Sequence, residues 1–224
     1  MKNFINTSIL ILIIVSIFLN NQTLLSQDIQ DDGFTDNKVN LLFGLNQPLL
    51  GGFNIEGNYF VDRLAFDYSH GVSLNIDNEF LGEDAMNQGI DIHIPWTTGF
   101  GIGYRINDWL NVRAEPKWHK FEVYDMGAEQ IESKLLTEYT TFTLGVGIYA
   151  NWQPFENYDN FLKGFMVAPS VRYWPRISSS LDGNSTSITT ASAGSVNHEA
   201  VEVGIAGTPF ILNISIGYSI GCDD

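Results

Sequence analysis

The sequence predicts an all-β protein, an eight-stranded antiparallel up-and-down transmembrane β-barrel. Three observations predict it. Eight segments alternate apolar residues with small or polar ones. Their connections are short at one end and long at the other. Aromatic residues collect near both ends of the segments. A period of two places alternate side chains on opposite faces of a pleated strand. Short turns facing long loops, with two aromatic girdles, are the marks of a barrel in an outer membrane.

The clearest pair of strands runs from Trp96 to Trp118. In its first arm Thr98, Phe100, Ile102 and Tyr104 share one parity, and Thr97, Gly99, Gly101, Gly103 and Arg105 share the other. In its second arm Leu110, Val112, Ala114, Pro116 and Trp118 alternate with Asn111, Arg113, Glu115 and Lys117. The arms meet at Asn107-Asp108, a tight-turn pair. The other segments are 38–46, 51–60, 63–74, 139–152, 163–174 and 208–219. In 63–74 the apolar parity is Leu64, Phe66, Tyr68, Val72 and Leu74, against Ala65, Asp67, Ser69 and Gly71. All are close to the roughly 9–11 residues that a tilted spanning strand needs. Val61-Asp62 and Asn107-Asp108 are minimal turns and 153–160 is a modest one, whereas 75–95, 124–138 and 177–206 are long. Only the connection around Gln47-Pro48 breaks the alternation.

A chain of 224 residues suits one sizeable domain. Met1-Lys2-Asn3, the apolar run Ile9 to Leu19 and the small residue Ser26 read as a secretory signal peptide over 1–26. The run is shorter than the roughly 20 apolar residues of a spanning helix. A polar leader over 27–37 and a barrel domain over 38–224 follow. Asp31, Asp32, Gly33 and Asp36 of the leader lack the spacing of a calcium loop. The formal charge of −15 becomes −16 without Lys2, which argues against nucleic acid as a partner. Cys222 is the single cysteine and forms no internal disulfide.

Which face points outward decides between a membrane barrel and a soluble one. The non-apolar parity is mostly Gly, Ser, Thr and Asn, which suits a narrow interior better than a wetted exterior. Tyr59, Phe60, Tyr104, Trp109, Trp152, Phe155, Phe161 and Tyr218 fall at the short-turn end. Trp96, Trp118, Phe121, Tyr173 and Trp174 fall at the long-loop end. Two such girdles match the two interfaces of a bilayer. The interior then holds Glu56, Asp67 and Glu115 against Arg105, Arg113, Lys117 and Arg172. Buried charges require partners, so these seven are expected to form a structural salt-bridge network that closes the lumen. An eight-stranded barrel has room for side chains but not for a wide channel.

Little in the sequence points to catalysis. The four histidines, His70, His93, His119 and His198, have no zinc spacing. Asp67 and Ser69 face one way on their strand and His70 the other, which precludes a hydrogen-bonded triad. No catalytic, cofactor or metal residue is assigned, and no enzyme activity is expected. The long loops are the other candidate site. Asp77, Glu79, Glu83, Asp84 and Asp91 form an acidic stretch without Lys or Arg in 75–95. Segment 178–195, rich in Ser, Thr and Gly, reads as flexible.

With strands, turns and girdles in place, residues 38–220 resemble the small eight-stranded outer-membrane barrels of Gram-negative bacteria, such as the OmpA barrel, OmpX and OmpW. Ser26-Gln27 and the Asn-rich, Lys/Arg-poor composition are similar to Bacteroidetes exports. The chain departs from such barrels by ending Gly221-Cys222-Asp223-Asp224, with Tyr218 the nearest aromatic. The resemblance implies a monomer in the cell outer membrane, in contact with its lipid and lipopolysaccharide, without a cofactor. Its expected role is structural or surface-interacting through the long loops. The alternatives are a narrow porin-like conduit for small solutes and a lipid-modifying enzyme, although the His-x-Ser spacing of the lipid A deacylases is absent, because Val72 follows His70 by two.

Overall fold

The computed structural model describes residues 37–76 and 87–222. The expected signal peptide, most of the leader, and Asp77, Glu79, Glu83 and Asp84 lie outside the described residues. The strands are β1 (Asn37–Gly44), β2 (Phe53–Val61), β3 (Leu64–Ile76), β4 (Ile90–Arg105), β5 (Leu110–Asp125), β6 (Leu135–Ala150), β7 (Phe165–Tyr173), β8 (Arg176–Ser179), β9 (Ser185–Thr190), β10 (Gly194–Glu199) and β11 (Phe210–Cys222).

β1 to β7 and β11 form a closed antiparallel barrel. The order runs β5-β4-β3-β2-β1-β11-β7-β6, and β5 pairs with β6 to complete the ring. Closure removes the sheet edges that an open structure would leave unpaired. The ends of β1 and β11 meet through Asn37↔Cys222 to Gly44↔Ser215. The fold class read from the sequence is the one found.

Both short turns follow from local chemistry. Asp62 takes a left-handed conformation (φ 47°) between β2 and β3, which Asp tolerates better than most residues. Asn107 Oδ1 accepts from the backbone N–H of Trp109 (3.1 Å) and Leu110 (2.7 Å), an Asx turn.

The strands differ in length, and the difference matters. β4, β5 and β6 each have 16 residues, whereas β1 has 8 and β2 and β7 have 9. The tops of β3 to β6 therefore rise past the rest of the ring as a curved wall. The long connections expected over 75–95 and 124–138 are correspondingly shorter, because strand continues to Ile76, from Ile90, to Asp125 and from Leu135. Asp91, expected in an acidic loop, lies within β4, and its carboxylate accepts from the Gly127 backbone N–H (2.7 Å).

One expectation of sidedness fails at the base of this wall. Period two puts Leu74 on the outward parity with Val72, yet it is buried, at 9% exposure. Ser73 sits between them with φ 56°, and this left-handed residue flips the parity of β3. The neighbouring strand changes step at the same height, with a bulge between His93 and Thr97. A bulge re-aims the side chains that follow it. Above the break Ile90, Ile92 and Ile94 point inward with Phe121, Val123 and Tyr139.

The segment after β7 is the largest departure from expectation. Residues 178–195 read as flexible, but β8 pairs with β6 and β9 and β10 form a hairpin from Ser185↔Glu199 to Thr190↔Gly194. Ile188 and Ala200 are buried against the concave apolar face of the wall, with Val196 and Val201 packed at its margin. His198 is buried there too. Val201 N–H donates to the Tyr139 hydroxyl (3.2 Å). That hydroxyl lies 3.2 Å from His198 Nε2, and His198 Nδ1 lies 3.1 Å from Gln88 Oε1. A neutral imidazole satisfies this chain if Tyr139 donates to Nε2 and Nδ1–H donates to Gln88. A protonated ring would turn two donors onto the Tyr139 oxygen and leave its hydroxyl hydrogen without an acceptor.

Burial lowers His198 to about 4, below the roughly 6.5 of a free histidine. The unfolded hairpin therefore binds the proton first. The stability that the neutral ring contributes is complete above pH ~6.5 and is lost as pH falls toward ~4. The protection factors of the amides across Val196–Ala200 are expected to fall over that interval while the barrel ladders stay protected. His198→Gln is expected to flatten the dependence. Equal protection at pH 4 and pH 7 in the unaltered protein would contradict the assignment.

Candidate functional site: the charged interior

The glycines of the inner parity make the interior legible. Across the barrel wall most of the large charged residues face a glycine on an adjacent strand, Arg172 among them with Gly147, whereas Glu56 faces Leu42 and Ser69. Asp67 pairs with Gly101, Arg113 with Gly103 and Gly147, Glu115 with Gly145, and Lys117 with Gly99. A Cβ on Gly101 would meet the Asp67 carboxylate, one on Gly145 the Trp174 ring, and one on Gly147 the Tyr149 ring. A narrow barrel has room for one large side chain per level only if its neighbours are small.

The charges meet in the space so left. Arg113 Nη1 lies 2.8 Å from Glu56 Oε1 and 3.3 Å from Asp67 Oδ2. It also donates to Asn58 Oδ1 (2.6 Å), while its Nε donates to Asn111 Oδ1 (2.7 Å). Arg172 Nη2 reaches the other Glu56 oxygen at 3.3 Å. Lys117 Nζ lies 3.2 Å from Glu115 Oε1 and donates to Ser69 Oγ at 2.5 Å. Glu115 also accepts from the Tyr149 hydroxyl and from Trp174 Nε1. The Tyr149 ring lies between two guanidinium groups, 4.1 Å from Arg113 and 4.8 Å from Arg172. Lys117 Nζ lies 4.5 Å from the centre of the Trp174 ring. Cation–π contacts of this kind gain strength when desolvated.

Of the seven residues singled out in the sequence, the structure brings together six: Glu56, Asp67, Arg113, Glu115, Lys117 and Arg172. Three negative charges thus face three positive ones. Arg105 stands apart, at the short-turn end, bonded to the Asp62 carbonyl and the Asp108 carboxylate, each at 3.0 Å. Three residues expected in the aromatic girdles are inside instead: Phe60, Phe121 and Trp174 are buried. Parity held the signal, since Glu56-Asn58-Phe60, Lys117-His119-Phe121 and Arg172-Trp174 each continue an inward series. Position at a strand end is the weaker guide.

No reacting arrangement accompanies the charges. His70 faces outward between Ile55 and Thr98, whereas Ser69 faces inward to Lys117. Among the described residues no group of three or more His, Cys, Asp or Glu could hold a metal ion.

Fold and interior together define a class: a closed eight-stranded antiparallel barrel with an apolar outer face and an ion-paired interior. No family model matches the chain, and no curated protein matches it. Solved structures with a similar overall course exist. The attachment invasion locus protein Ail of Yersinia pestis is 11% identical, with 83% of this chain and 97% of that chain covered and a TM-score of 0.37. The N-terminal β-barrel domain of OprF from Pseudomonas aeruginosa is 9% identical, covering 84% of this chain and 100% of that chain, with a TM-score of 0.36. The outer membrane protein Ail of Yersinia pestis in a phospholipid bilayer nanodisc is 14% identical, with coverages of 84% and 100% and a TM-score of 0.35.

Removing one member of a buried ion pair costs about 3–5 kcal/mol, because the partner stays buried and unpaired. Arg113→Met is expected to lower the unfolding free energy in urea by about that much, with part recovered in the double variant Arg113→Met/Asp67→Asn. Lys120→Ala removes a pair to Glu138 on the exterior (2.8 Å) and is expected to cost at most about 1 kcal/mol.

Proposed function

We propose that this protein spans an outer membrane, with its lumen closed by the six-charge network, and acts as a structural or surface-interacting barrel through the segments at its long-connection end. The observation that carries this reading is an inversion of polarity along the barrel. Outward residues are apolar through nine positions of β5 and β6, Leu110–Trp118 and Phe142–Ala150, and over Leu64–Val72 of β3 apart from His70. Nine residues on a strand tilted by about 40° rise roughly 20–23 Å, close to the ~25 Å apolar band of such barrels. Above that height the outward row becomes Asn75, His93, Glu122 and Glu138, paired in register across β3 to β6. The inward row changes at the same height from charged to apolar. Only a barrel that is lipid-bathed below and wetted above benefits from both changes.

The remaining expectations join this proposal: the signal peptide over 1–26, the acidic residues Asp77, Glu79, Glu83, Asp84 and Asp91 near the outer surface, lipid and lipopolysaccharide as neighbours, a monomeric state and no enzymatic role. The hairpin β9–β10, seated on the wall, offers a surface to an external partner.

Protease applied to intact cells is expected to cut only within the connections 45–52, 77–89, 126–134 and 180–209, and to spare 62–63, 106–109 and 151–164. Cuts in the second group would invert the orientation. In planar bilayers no open steps are expected, and regular unitary conductance would replace the closed lumen with a narrow conduit.

A further inference from the structure

The outer face carries a groove of about 600 Å³, and its geometry follows from strand register. One ridge runs along the hydrogen-bonding direction through Ile102↔Ala114↔Val146↔Tyr173↔Phe210. The next ridge toward the short-turn end runs through Tyr104↔Val112↔Ile148↔Val171. Between them the floor is Gly103↔Arg113↔Gly147↔Arg172. The side chains of this row point into the barrel, so only backbone lies beneath the groove. Those backbone groups are spent on the barrel ladders, which leaves the floor without free donors. Ala114, flanked by Ile102 and Val146, is a notch in the first ridge. Four inter-strand steps of about 4.8 Å give a length of roughly 19 Å.

The ridges are among the most exposed apolar parts of the barrel, with Val146 at 61%. The location is also a particular one. β6 and β7 are joined by four residue pairs, 146–149 with 170–173, and a single bridge, Trp152↔Val167. β7 ends at Tyr173, and the chain then turns Trp174 into the lumen, so the wall next to the first ridge has no β7 residue opposite Leu144.

We infer that this groove holds one acyl chain of a bilayer lipid as a bound ligand rather than as passing solvent. The inference rests on the reading that the apolar band faces lipid. Each leaflet contributes chains that reach about 15 Å, half of the ~30 Å hydrocarbon core, and a groove of roughly 19 Å running obliquely to the barrel axis takes one such chain lengthwise. The walls are methyl and aromatic groups and the floor is saturated backbone, so a hydrocarbon chain satisfies the site and a polar ligand does not. Tyr173 and Phe210, 5.0 Å apart between ring centres, close the end nearest the long connections. The opposite end is bounded by Ile102 and Tyr104.

The test is native mass spectrometry of the full chain, folded into phospholipid vesicles and then released into detergent. The expected result is a species with one retained phospholipid, lost in Ala114→Trp and in the milder Ala114→Leu, both of which fill the notch. Gly57→Trp is the control: Gly57 faces outward in open space, on the far side of the ring, and the retained lipid is expected to persist. Heat-modifiable migration on gels checks that each variant is folded. Equal retention in the Ala114 variants and the unaltered protein, no retention in any, or a two-chain species in place of the lipid adduct would each overturn the groove proposal while the membrane reading stands. A chain that stays monodisperse in water without detergent would remove the membrane reading and the groove with it.

Discussion

The structure depends on one steric condition, that five of the six charged side chains meeting in the barrel are each met by a glycine across the strand. Arg113 has Gly103 on one side and Gly147 on the other. With those glycines in place the guanidinium reaches Glu56 and Asp67 together and stacks on Tyr149. With larger residues there, either the strands would separate or the charges would stand without partners. Unpaired charges in a space this dry are costly. The alternation of glycine with charge is therefore a packing rule, and the ion pairs are its consequence.

The same logic explains why the interior changes character with height. On the proposed membrane reading the exterior of the lower barrel meets an apolar medium, so polar groups gather inside and neutralise one another. On the same reading the wall formed by β3 to β6 rises beyond that medium, and there the hydrophobic effect acts in its ordinary direction. Ile90, Ile92, Ile94, Phe121 and Val123 turn inward and the hairpin β9–β10 covers them. Ser73 and the irregularity near His93 make the exchange on two adjacent strands. β5 needs no such break: its inward series simply changes from Lys117 and His119 to Phe121 and Val123.

The hairpin joins both halves of this arrangement. Its strands carry few apolar side chains, and a polar chain, from Val201 N–H through Tyr139 to His198 and Gln88, supplements them. Tyr139 stacks on Phe121 with ring centres 5.1 Å apart, so the polar chain is seated on the apolar cluster. The chain reaches this position because β7 stops at Tyr173 and Trp174 anchors the turn, with its backbone N–H on the Pro209 carbonyl (2.8 Å) and its indole on Glu115.

The sequence by itself determined the strands, their order and which parity faces the interior over most of the barrel. Period two and turn chemistry are local properties that no partner is needed to reveal. It also named the charges that meet inside, since six of the seven lie on inward parities at compatible heights. Tertiary structure decided the rest. The reversal at Ser73 depends on one left-handed residue matched by the adjacent strand, and nothing in 63–74 marks it. Arg105 lies on the right parity but at the wrong height, because its strand ends at the turn. The segment 178–195 looks like linker because a hairpin with Ile188 and Val196 as its apolar contacts has too little to bury alone. It becomes ordered only where the tops of four other strands present an apolar face, and that face exists only once the barrel has closed beneath it.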